Sequence, residues 1–456
     1  MNTNFSKTEE EVLDNYSHIK PENVHEVISR YMLADGFEFV LDLKNSHGVY
    51  LVDEKTGETY FDFFTFFASS PLGLNHPKLN YEEVKKELLE STINKPSNSD
   101  IYTVAMAEFV ETFARIAKPD YMKYLFFISG GALAVENALK VAFDWKVQKN
   151  FAKGYKEEKG HKIIHFKDAF HGRSGYTLSL TNTDPTKIKY FPKFDWPRVT
   201  NPKIKFPLEN NLEEIISTEN QAVVEILKAI EQNPDDIAAI IIEPVQGEGG
   251  DNFFRKEFFM KLRQIADENE ILLIFDEVQC GFGITGKFWA HEHFVKPDIV
   301  AFGKKAQVCG IMVSERIDEV KDNCFHKSSR INSTWGSDLS DMVRSKHILR
   351  IIEEENLIEN SRLTGEHLLK GLHKLQQEFP DIISNVRGLG LMCSFDLPSS
   401  EFRDSFKSEC LKQHLIILGC GSKSIRFRPA LNITPSEIDE GLNLVRKVLI
   451  FQRTKN

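Results

Sequence analysis

The sequence lacks the features that mark disulfide-rich, membrane-spanning and nucleic-acid-binding proteins. It has six cysteines in 456 residues, and no two of them form a Cys-x-x-Cys pair, so neither a disulfide framework nor a zinc cage is indicated. Its longest apolar run, Ile237–Ile242, is far shorter than the roughly 18 residues that cross a bilayer. With 57 basic and 67 acidic residues the formal net charge is -10, which disfavours binding to nucleic acid or to an anionic membrane.

A sorting signal is also absent from the start of the chain. The stretch MNTNFSKTEEEVLDNY has no basic segment followed by an apolar one, and its acids argue against a transit peptide. The overall composition, 41% hydrophobic and 27% charged, is that of a soluble globular protein. We therefore expect a cytoplasmic protein without a membrane segment.

From about residue 75 to residue 340, apolar runs alternate with amphipathic helical stretches. The runs predicted as strands cover residues 123–129, 162–166, 237–245, 271–278 and 298–303. All-apolar strands that alternate with helices are typical of a mostly parallel sheet covered on both faces. The sequence thus predicts an α/β fold with domain boundaries near residues 75 and 340.

The residues that follow these strands are the candidates for a functional site, because ligands bind beyond the carboxyl ends of parallel strands. Residues 130–132 open a helix, and small residues there leave free backbone N–H groups that can hold a phosphate. Asp276 ends one apolar run, and Lys304 and Lys305 directly follow another. Taken alone, each feature has an ordinary alternative: a tight turn, a helix cap or a solvated lysine pair.

Two further motifs are weaker candidates. Residues 281–287, GFGITGK, match the first seven positions of a nucleoside-triphosphate P-loop, but Phe288 stands where that loop needs Ser or Thr to hold magnesium. His291 and His293 are two residues apart, which places them on different faces of a helix. Neither a P-loop nor a zinc site is therefore expected, and we predict no metal centre.

In combination, the three strand-end features supply the fixed points that pyridoxal phosphate requires. Backbone amides hold the phosphate, a carboxylate pairs with the pyridinium nitrogen, and a desolvated lysine with a lowered pKa forms a Schiff base with the aldehyde. The carboxylate keeps the ring nitrogen protonated. The ring can then accept the electron pair released when the amine-bearing carbon of the substrate loses a proton.

In order and spacing, seven stretches resemble the class III aminotransferases, a family of fold-type I pyridoxal-phosphate enzymes. They are GGALAVENALK (130–140), FHGR (170–173), EPVQGEGGDN (243–252), DEVQCGFGITGKFWAHEHF (276–294), PDIVAFGKK (297–305), NSTWG (332–336) and RFRPAL (426–431). The resemblance implies a large cofactor-binding domain over residues 76–340, with a mostly parallel sheet flanked by helices. It also implies a smaller α+β domain formed by residues 1–75 and 341–456.

The resemblance assigns contacts to the cofactor ring. Lys304 matches the lysine that binds the cofactor covalently, and Asp276 matches the partner of the ring nitrogen. Phe170 matches the aromatic residue stacked on the ring, and Gln279 matches the residue near the phenolic oxygen. We therefore expect these four side chains to surround the cofactor, with Lys304 rather than Lys305 linked to it because adjacent strand residues face opposite sides.

The resemblance also assigns the phosphate contacts. Gly131 and Ala132 match the phosphate-binding turn. Thr334 resembles a residue that contacts the phosphate of the neighbouring subunit's cofactor, which implies a homodimer with active sites at the interface. Some relatives carry an iron–sulfur cluster on a cysteine pair ahead of the phosphate turn. This chain has no cysteine before Cys280, so no such cluster is expected.

Four residues match substrate contacts of the family. Arg173 corresponds to an arginine that grips a carboxylate remote from the reacting amine, which a guanidinium fork can bind bidentately; a structural ion pair is the alternative. Arg426 matches the arginine that binds 2-oxoglutarate. Glu248 matches an acid that pairs with this arginine when an ω-amine is bound and moves away from it when 2-oxoglutarate binds. The alternative for Glu248 is a turn acid, and its flanking glycines predict an easily rearranged backbone. Asn332 is assigned to the residues that contact the substrate.

The stretches FTFFASSPLGLNHP, GGALAVENALK and FGKKAQVCG are most similar to family members that act on the ε-amino group of L-lysine. The implied reaction is a ping-pong transfer of that group to 2-oxoglutarate, which yields 2-aminoadipate 6-semialdehyde and L-glutamate. One alternative is 4-aminobutyrate or another ω-amino acid as the donor. Another is a decarboxylase, racemase or regulatory protein on the same fold.

Overall fold

The computed structural model describes residues 19–455. The first 18 residues, on which the expectation of no sorting signal depends, and Asn456 lie outside this range. Among the described residues, none of the helices combines the length and apolarity that a bilayer crossing requires.

Strands and helices alternate through the middle of the chain. Several short strands follow one another closely in the sequence near its C-terminal end. The strands are β1 Tyr50–Val52, β2 Thr59–Asp62, β3 Met122–Ile128, β4 Lys162–Phe166, β5 Arg198–Val199, β6 Ile237–Ile242, β7 Leu272–Asp276, β8 Ile299–Phe302, β9 Cys309–Ser314, β10 Ser384–Leu389, β11 Met392–Asp396, β12 Leu415–Ile416, β13 Leu418–Cys420 and β14 Ser424–Phe427. The right-handed helices are Val24–Ser29, Glu82–Asn94, Val104–Ile116, Gly131–Ala152, Gly175–Leu180, Leu212–Gln232, Lys256–Glu268, Leu339–Glu354, Leu357–Glu378, Ser400–Lys412 and Pro435–Lys455.

The largest sheet has seven strands in the order β3-β9-β8-β7-β6-β4-β5. Neighbouring strands from β5 to β8 pair in parallel, whereas β9 runs antiparallel to both β3 and β8. The predicted α/β fold with a mostly parallel sheet is confirmed. The five predicted runs coincide with β3, β4, β6, β7 and β8, and the sequence reading missed β5 and β9.

Both faces of this sheet are buried, which explains why its strands are apolar throughout. All five residues of β7 are buried, and successive side chains point to opposite faces. Ile274 packs in the cluster that includes the helix Gly131–Ala152. Phe275 packs on the other face against the helix Lys256–Glu268, where its ring lies 5.3 Å from that of Phe259. Burial of one such side chain contributes about 1.5–3 kcal/mol.

The two ends of the described chain share a second, smaller region. β2 pairs in parallel with β12, so an N-terminal and a C-terminal strand lie in one three-stranded sheet with β1. β10, β11, β14 and β13 form an antiparallel sheet beside it. The helical stretch predicted after residue 340 is divided into Leu339–Glu354 and Leu357–Glu378 at Asn356, whose φ is 52°. The boundaries near residues 75 and 340 stay a prediction.

A left-handed turn, Thr65–Ala68, follows β2 and was not predicted. The φ angles of its four residues are 42°, 52°, 59° and 64°, a conformation that costs about 1–2 kcal/mol per residue for side chains other than glycine. The Asp62 carboxylate stabilises the turn by accepting the N–H groups of Phe64 (2.7 Å) and Thr65 (2.8 Å). The Thr65 hydroxyl also donates to the carbonyl of Arg428 (2.6 Å). These contacts offset the strain and fix the turn beside the end of β8.

Candidate active site

The site lies at the edge of the large sheet where the parallel strands end. Gly131 follows β3, Phe170 follows β4, Glu248 follows β6, Asp276 is the last residue of β7, and Lys304 follows β8. Because the carboxyl ends of parallel strands meet at one edge, residues far apart in the sequence converge there. The remaining strands of the sheet hold this edge rigid.

Asp276 is buried and held by a histidine. Its Oδ2 lies 2.8 Å from Nδ1 of His171, and its Oδ1 accepts the N–H of Val278 at 3.1 Å. Burial opposes protonation of His171, but its hydrogen bond to Asp276 and the charge of that carboxylate raise its pKa above the ordinary value. Nearby Glu243 accepts the N–H of Phe170 at 2.9 Å, and burial raises its pKa to about 7. Sequence reasoning missed the roles of His171 and Glu243, which come together only in the fold.

Of the two lysines after β8, Lys305 is buried and Lys304 is partly buried. Burial lowers the pKa of Lys304 to about 8, and the Arg426 guanidinium acts in the same direction. Lys305 donates to the carbonyls of Gln279 (2.9 Å) and Ala68 (3.3 Å), and its burial lowers its pKa well below the ordinary value. The alternative of a solvated pair is therefore wrong.

The two lysines do not lie on a strand, in contrast to the expectation from the sequence. β8 ends at Phe302, and the two lysines lie on a short 3-10 turn, Lys304–Ala306, instead of on the strand. Strand alternation therefore does not separate them. Lys304 has a φ of 49°, and its amine lies 3.4 Å from the carbonyl of Phe67. That Lys304 carries the cofactor stays a prediction.

Glu248 and Arg426 form an ion pair at the site, with Glu248 Oε2 3.1 Å from Arg426 Nη1. Arg426 lies on β14 and is almost fully buried. Burial would raise the pKa of Glu248, but the charges of Arg426 and Lys187 lower it below the ordinary value. The carboxylate is thus ionised at neutral pH, and it neutralises the buried guanidinium.

The glycines around Glu248 permit close packing, and the expectation of an easily rearranged backbone stays a prediction. A Cβ on Gly247 would stand 1.8 Å from Oε1 of Gln279. The carbonyl of Glu248 accepts the N–H of Gly421 at 2.9 Å. The backbone of residues 247–250 is therefore held between its neighbours. A rotation of the side chain can move the Glu248 carboxylate without breaking the backbone contact to Gly421.

The start of the helix Gly131–Ala152 presents unused donors. In the part of the chain that the structure describes, the backbone N–H groups of Gly131 and Ala132 donate to no acceptor. A Cβ on Gly131 would stand 2.9 Å from Cγ1 of Val278, so glycine lets the helix start lie against the segment that follows β7. The positive end of the helix dipole and these two amides can bind a phosphate.

Three predicted residues are exposed in the single chain. Arg173 is exposed, and among residues 19–455 no carboxylate pairs with it, so the alternative of a structural ion pair is not observed. Asn332 and Thr334 are exposed as well, and the Asn332 side chain accepts the N–H of Ser333 (2.8 Å). Their predicted roles require a substrate or a second subunit.

The P-loop alternative is wrong on structural grounds. A Cβ on Gly281 would stand 2.8 Å from the Trp289 ring, and one on Gly283 would stand 2.8 Å from Ile358. Residues 281–286 are buried, and the short 3-10 turn Ala290–His293 follows them where a P-loop would lead into an α-helix. Within the described range, no group of three or more His, Cys, Asp or Glu side chains could hold a metal ion.

The residues at this edge are suited to pyridoxal phosphate. The Asp276 carboxylate is positioned by His171, whose Nε2 is buried without a partner among residues 19–455. The unused amides at Gly131 and Ala132 are suited to the phosphate, and the pKa of Lys304 is low enough for its amine to act as a nucleophile. Each of the three fixed points predicted from the sequence thus has a matching group.

Comparison with known proteins agrees with this site. A model of the family described as Aminotransferase class-III matches residues 32–449. The L-lysine-epsilon aminotransferase of Mycobacterium tuberculosis is 51% identical over 431 residues, 94% of this chain and 96% of that protein. Human mitochondrial 4-aminobutyrate aminotransferase is 32% identical over 436 residues, 91% and 86% of the two chains. The solved structure of lysine aminotransferase from M. tuberculosis in the internal aldimine form has a TM-score of 0.93 and 50% identity, and the match covers 95% of this chain and 100% of that one. The chain belongs to the class III aminotransferase family, whose members depend on pyridoxal phosphate.

Proposed function

We propose that the protein transfers the ε-amino group of L-lysine to 2-oxoglutarate, yielding 2-aminoadipate 6-semialdehyde and L-glutamate. The observation that carries this proposal is the Glu248–Arg426 ion pair next to Lys304. An enzyme that takes an ω-amine and a 2-oxo acid at one locus needs an arginine that can be neutralised in one half-reaction and exposed in the other. The 51% identity to a lysine-epsilon aminotransferase supports lysine as the donor.

Bound pyridoxal phosphate supplies an electron-accepting ring for the reaction. Asp276 holds a proton at the ring nitrogen, and His171 keeps that carboxylate oriented. Lys304, with a pKa of about 8, is partly neutral near neutral pH, so its amine can take a proton from the amine-bearing carbon of the substrate and return it. Asp276 and His171 are buried, so their hydrogen bond is shielded from water.

Two arginines account for the two substrates. The exposed, unpaired guanidinium of Arg173 can bind the α-carboxylate of L-lysine bidentately, while Glu248 neutralises Arg426 beside the aliphatic stem. 2-Oxoglutarate carries a carboxylate next to its reacting carbon, and this group requires Arg426. A buried arginine without a partner would cost several kcal/mol during the lysine half-reaction, and the Glu248 carboxylate removes that cost.

Glu248→Ala should leave Arg426 exposed to the pocket in both half-reactions. We expect the preference for lysine over glutamate to fall about tenfold, because the stem of lysine would lie against an unpaired guanidinium. Single-turnover spectroscopy of the two half-reactions measures this ratio. Glu248→Gln keeps the side-chain shape without its charge and should behave in the same way. A wild-type ratio in both variants would show that Glu248 is only a turn residue.

We further propose a cytoplasmic homodimer in which Thr334 contacts the phosphate of the neighbouring subunit's cofactor. The exposure of Asn332 and Thr334 supports this arrangement, because neither has its predicted contact within one chain. Large apolar side chains on the surface support an interface as well. They include Tyr31, Leu33, Ile101, Tyr102 and Val104. The acidic composition and the scarcity of cysteine support the cytoplasmic location.

Formation of aldehyde from L-lysine, L-ornithine and 4-aminobutyrate, measured side by side with 2-oxoglutarate as acceptor, tests the choice of donor. The proposal predicts the highest kcat/KM for lysine, since only lysine combines the α-carboxylate with an ε-amine. A higher kcat/KM for 4-aminobutyrate would replace the proposal by its alternative. Loss of an amino donor without formation of glutamate would indicate a decarboxylase or racemase.

A further inference from the structure

Glu248 has a second cationic partner, which the sequence did not indicate. Lys187 ends the 3-10 turn Pro185–Lys187, and its Nζ lies 2.6 Å from Oε1 of Glu248. Arg426 holds the other carboxylate oxygen, Oε2, at 3.1 Å. Each oxygen of the Glu248 carboxylate therefore pairs with a different cation.

Lys187 and Arg426 differ in how deeply they are buried. The side chain of Arg426 is 5% exposed, whereas those of Glu248 and Lys187 are 26% and 25% exposed. The Lys187 amine also lies 5.4 Å from the ring centre of Phe170, the residue predicted to stack on the cofactor. Lys187 thus stands on the outer side of Glu248, opposite the buried arginine and next to the substrate locus.

This arrangement bears on how Glu248 can release Arg426. The carbonyl of Glu248 accepts the N–H of Gly421, and a rotation of the side chain releases Arg426 without breaking this contact. Without Lys187, the rotated carboxylate would be partly buried with no countercharge, which disfavours release. Lys187 already contacts the carboxylate while Arg426 is paired with it, so the two cations share one negative charge. Once the acceptor has taken Arg426, Lys187 no longer shares the carboxylate, and this difference favours release.

We propose that Lys187 is a positioning residue that holds Glu248 in its released orientation and so determines how readily the enzyme binds a dicarboxylate acceptor. The inference deepens the proposed function and rests on it, since it assumes that Arg426 receives the acceptor carboxylate. Lys187 acts through Glu248 and does not touch the reacting atoms.

Binding of unreactive acids to the full-length holoenzyme tests this role. Glutarate has two carboxylates and requires Arg426, whereas valerate has the same chain length with one carboxylate that Arg173 can hold. In Lys187→Met, calorimetry should show glutarate binding weakened about tenfold and valerate binding unchanged. Lys187→Arg should restore glutarate binding. Lys189→Met, which removes an exposed lysine two residues away, should leave the affinity for both ligands at the wild-type level.

A double-mutant cycle separates positioning from direct contact. In a Glu248→Ala background, Lys187→Met should change glutarate affinity less than about twofold, because the residue through which it acts is gone. A full tenfold loss in that background would mean that Lys187 binds the ligand itself. Equal losses for glutarate and valerate would indicate a structural role, and unchanged or tighter glutarate binding in Lys187→Met would also overturn the proposal.

Failure of this proposal can be told apart from failure of the proposed function. If wild-type enzyme does not transfer an amino group from lysine, the proposed donor is wrong. The ratio of glutarate to valerate affinity does not involve a donor, and it can still be compared between the wild type and Lys187→Met.

Discussion

Replacing Lys304 by Ala should remove the visible absorbance of the lysine-bound cofactor and lower turnover by roughly a thousandfold or more. We assign two functions to the Lys304 side chain: it binds the cofactor covalently, and it moves a proton at the substrate's amine-bearing carbon. The position of Lys304 after β8 and its pKa of about 8 support both functions. Absorption spectra and kcat of the purified variant measure the two losses.

Lys305→Met is the matched control for this variant. Lys305 is the adjacent lysine and also has a lowered pKa, but its amine already donates to the backbone carbonyls of Ala68 and Gln279. The control should keep the absorbance of the lysine-bound cofactor. Borohydride reduction of the wild type, followed by peptide mapping, should label Lys304. A label on Lys305 would reverse the assignment.

Arg173→Ala should slow the lysine half-reaction by some 30- to 150-fold, or roughly 2–3 kcal/mol. The substitution removes a charge-assisted, bidentate contact to the α-carboxylate. Since Arg173 is exposed and no carboxylate within residues 19–455 pairs with it, its loss leaves no buried charge behind. The fold should therefore be unaffected. The half-reaction with 2-oxoglutarate should suffer less, because Arg426 still holds that substrate.

Arg173→Lys provides the control for charge alone. Lysine keeps the positive charge but lacks the planar fork, so an intermediate rate is expected. Single-turnover spectroscopy with each substrate separates the two half-reactions. Equal losses in both half-reactions for Arg173→Ala would contradict the assigned role.

The large sheet and the convergence of residues at its edge could be predicted because their signals are local. Five apolar runs, each bounded by turn residues, coincide with strands of the large sheet, and Asp276 and Lys304 stand directly at strand ends. β9 was missed because it begins five residues after Lys304, in a stretch that includes Cys309 and Gly310 and has no clear period. The left-handed turn Thr65–Ala68 was missed because nothing in its sequence favours positive φ; Asp62 stabilises it from outside.

Sequence patterns did not predict contacts between segments that are distant in the chain. Lys187 and Glu248 are 61 residues apart, and their contact depends on how a surface turn packs against the end of β6. The His171–Asp276 hydrogen bond likewise joins two strand ends 105 residues apart. The glycines around Glu248 indicated flexibility when read alone, yet in the fold they permit close packing against Gln279.

The fate of the two nitrogens of lysine tests the central claim most directly. Enzyme supplied with 2-oxoglutarate and L-lysine labelled with ¹⁵N at the ε position should produce ¹⁵N-glutamate, detected by mass spectrometry. L-Lysine labelled at the α position should yield unlabelled glutamate and a labelled semialdehyde. Labelled glutamate from the α-labelled substrate would contradict the account, because it would place the α-carbon, and not the ε-carbon, at Lys304.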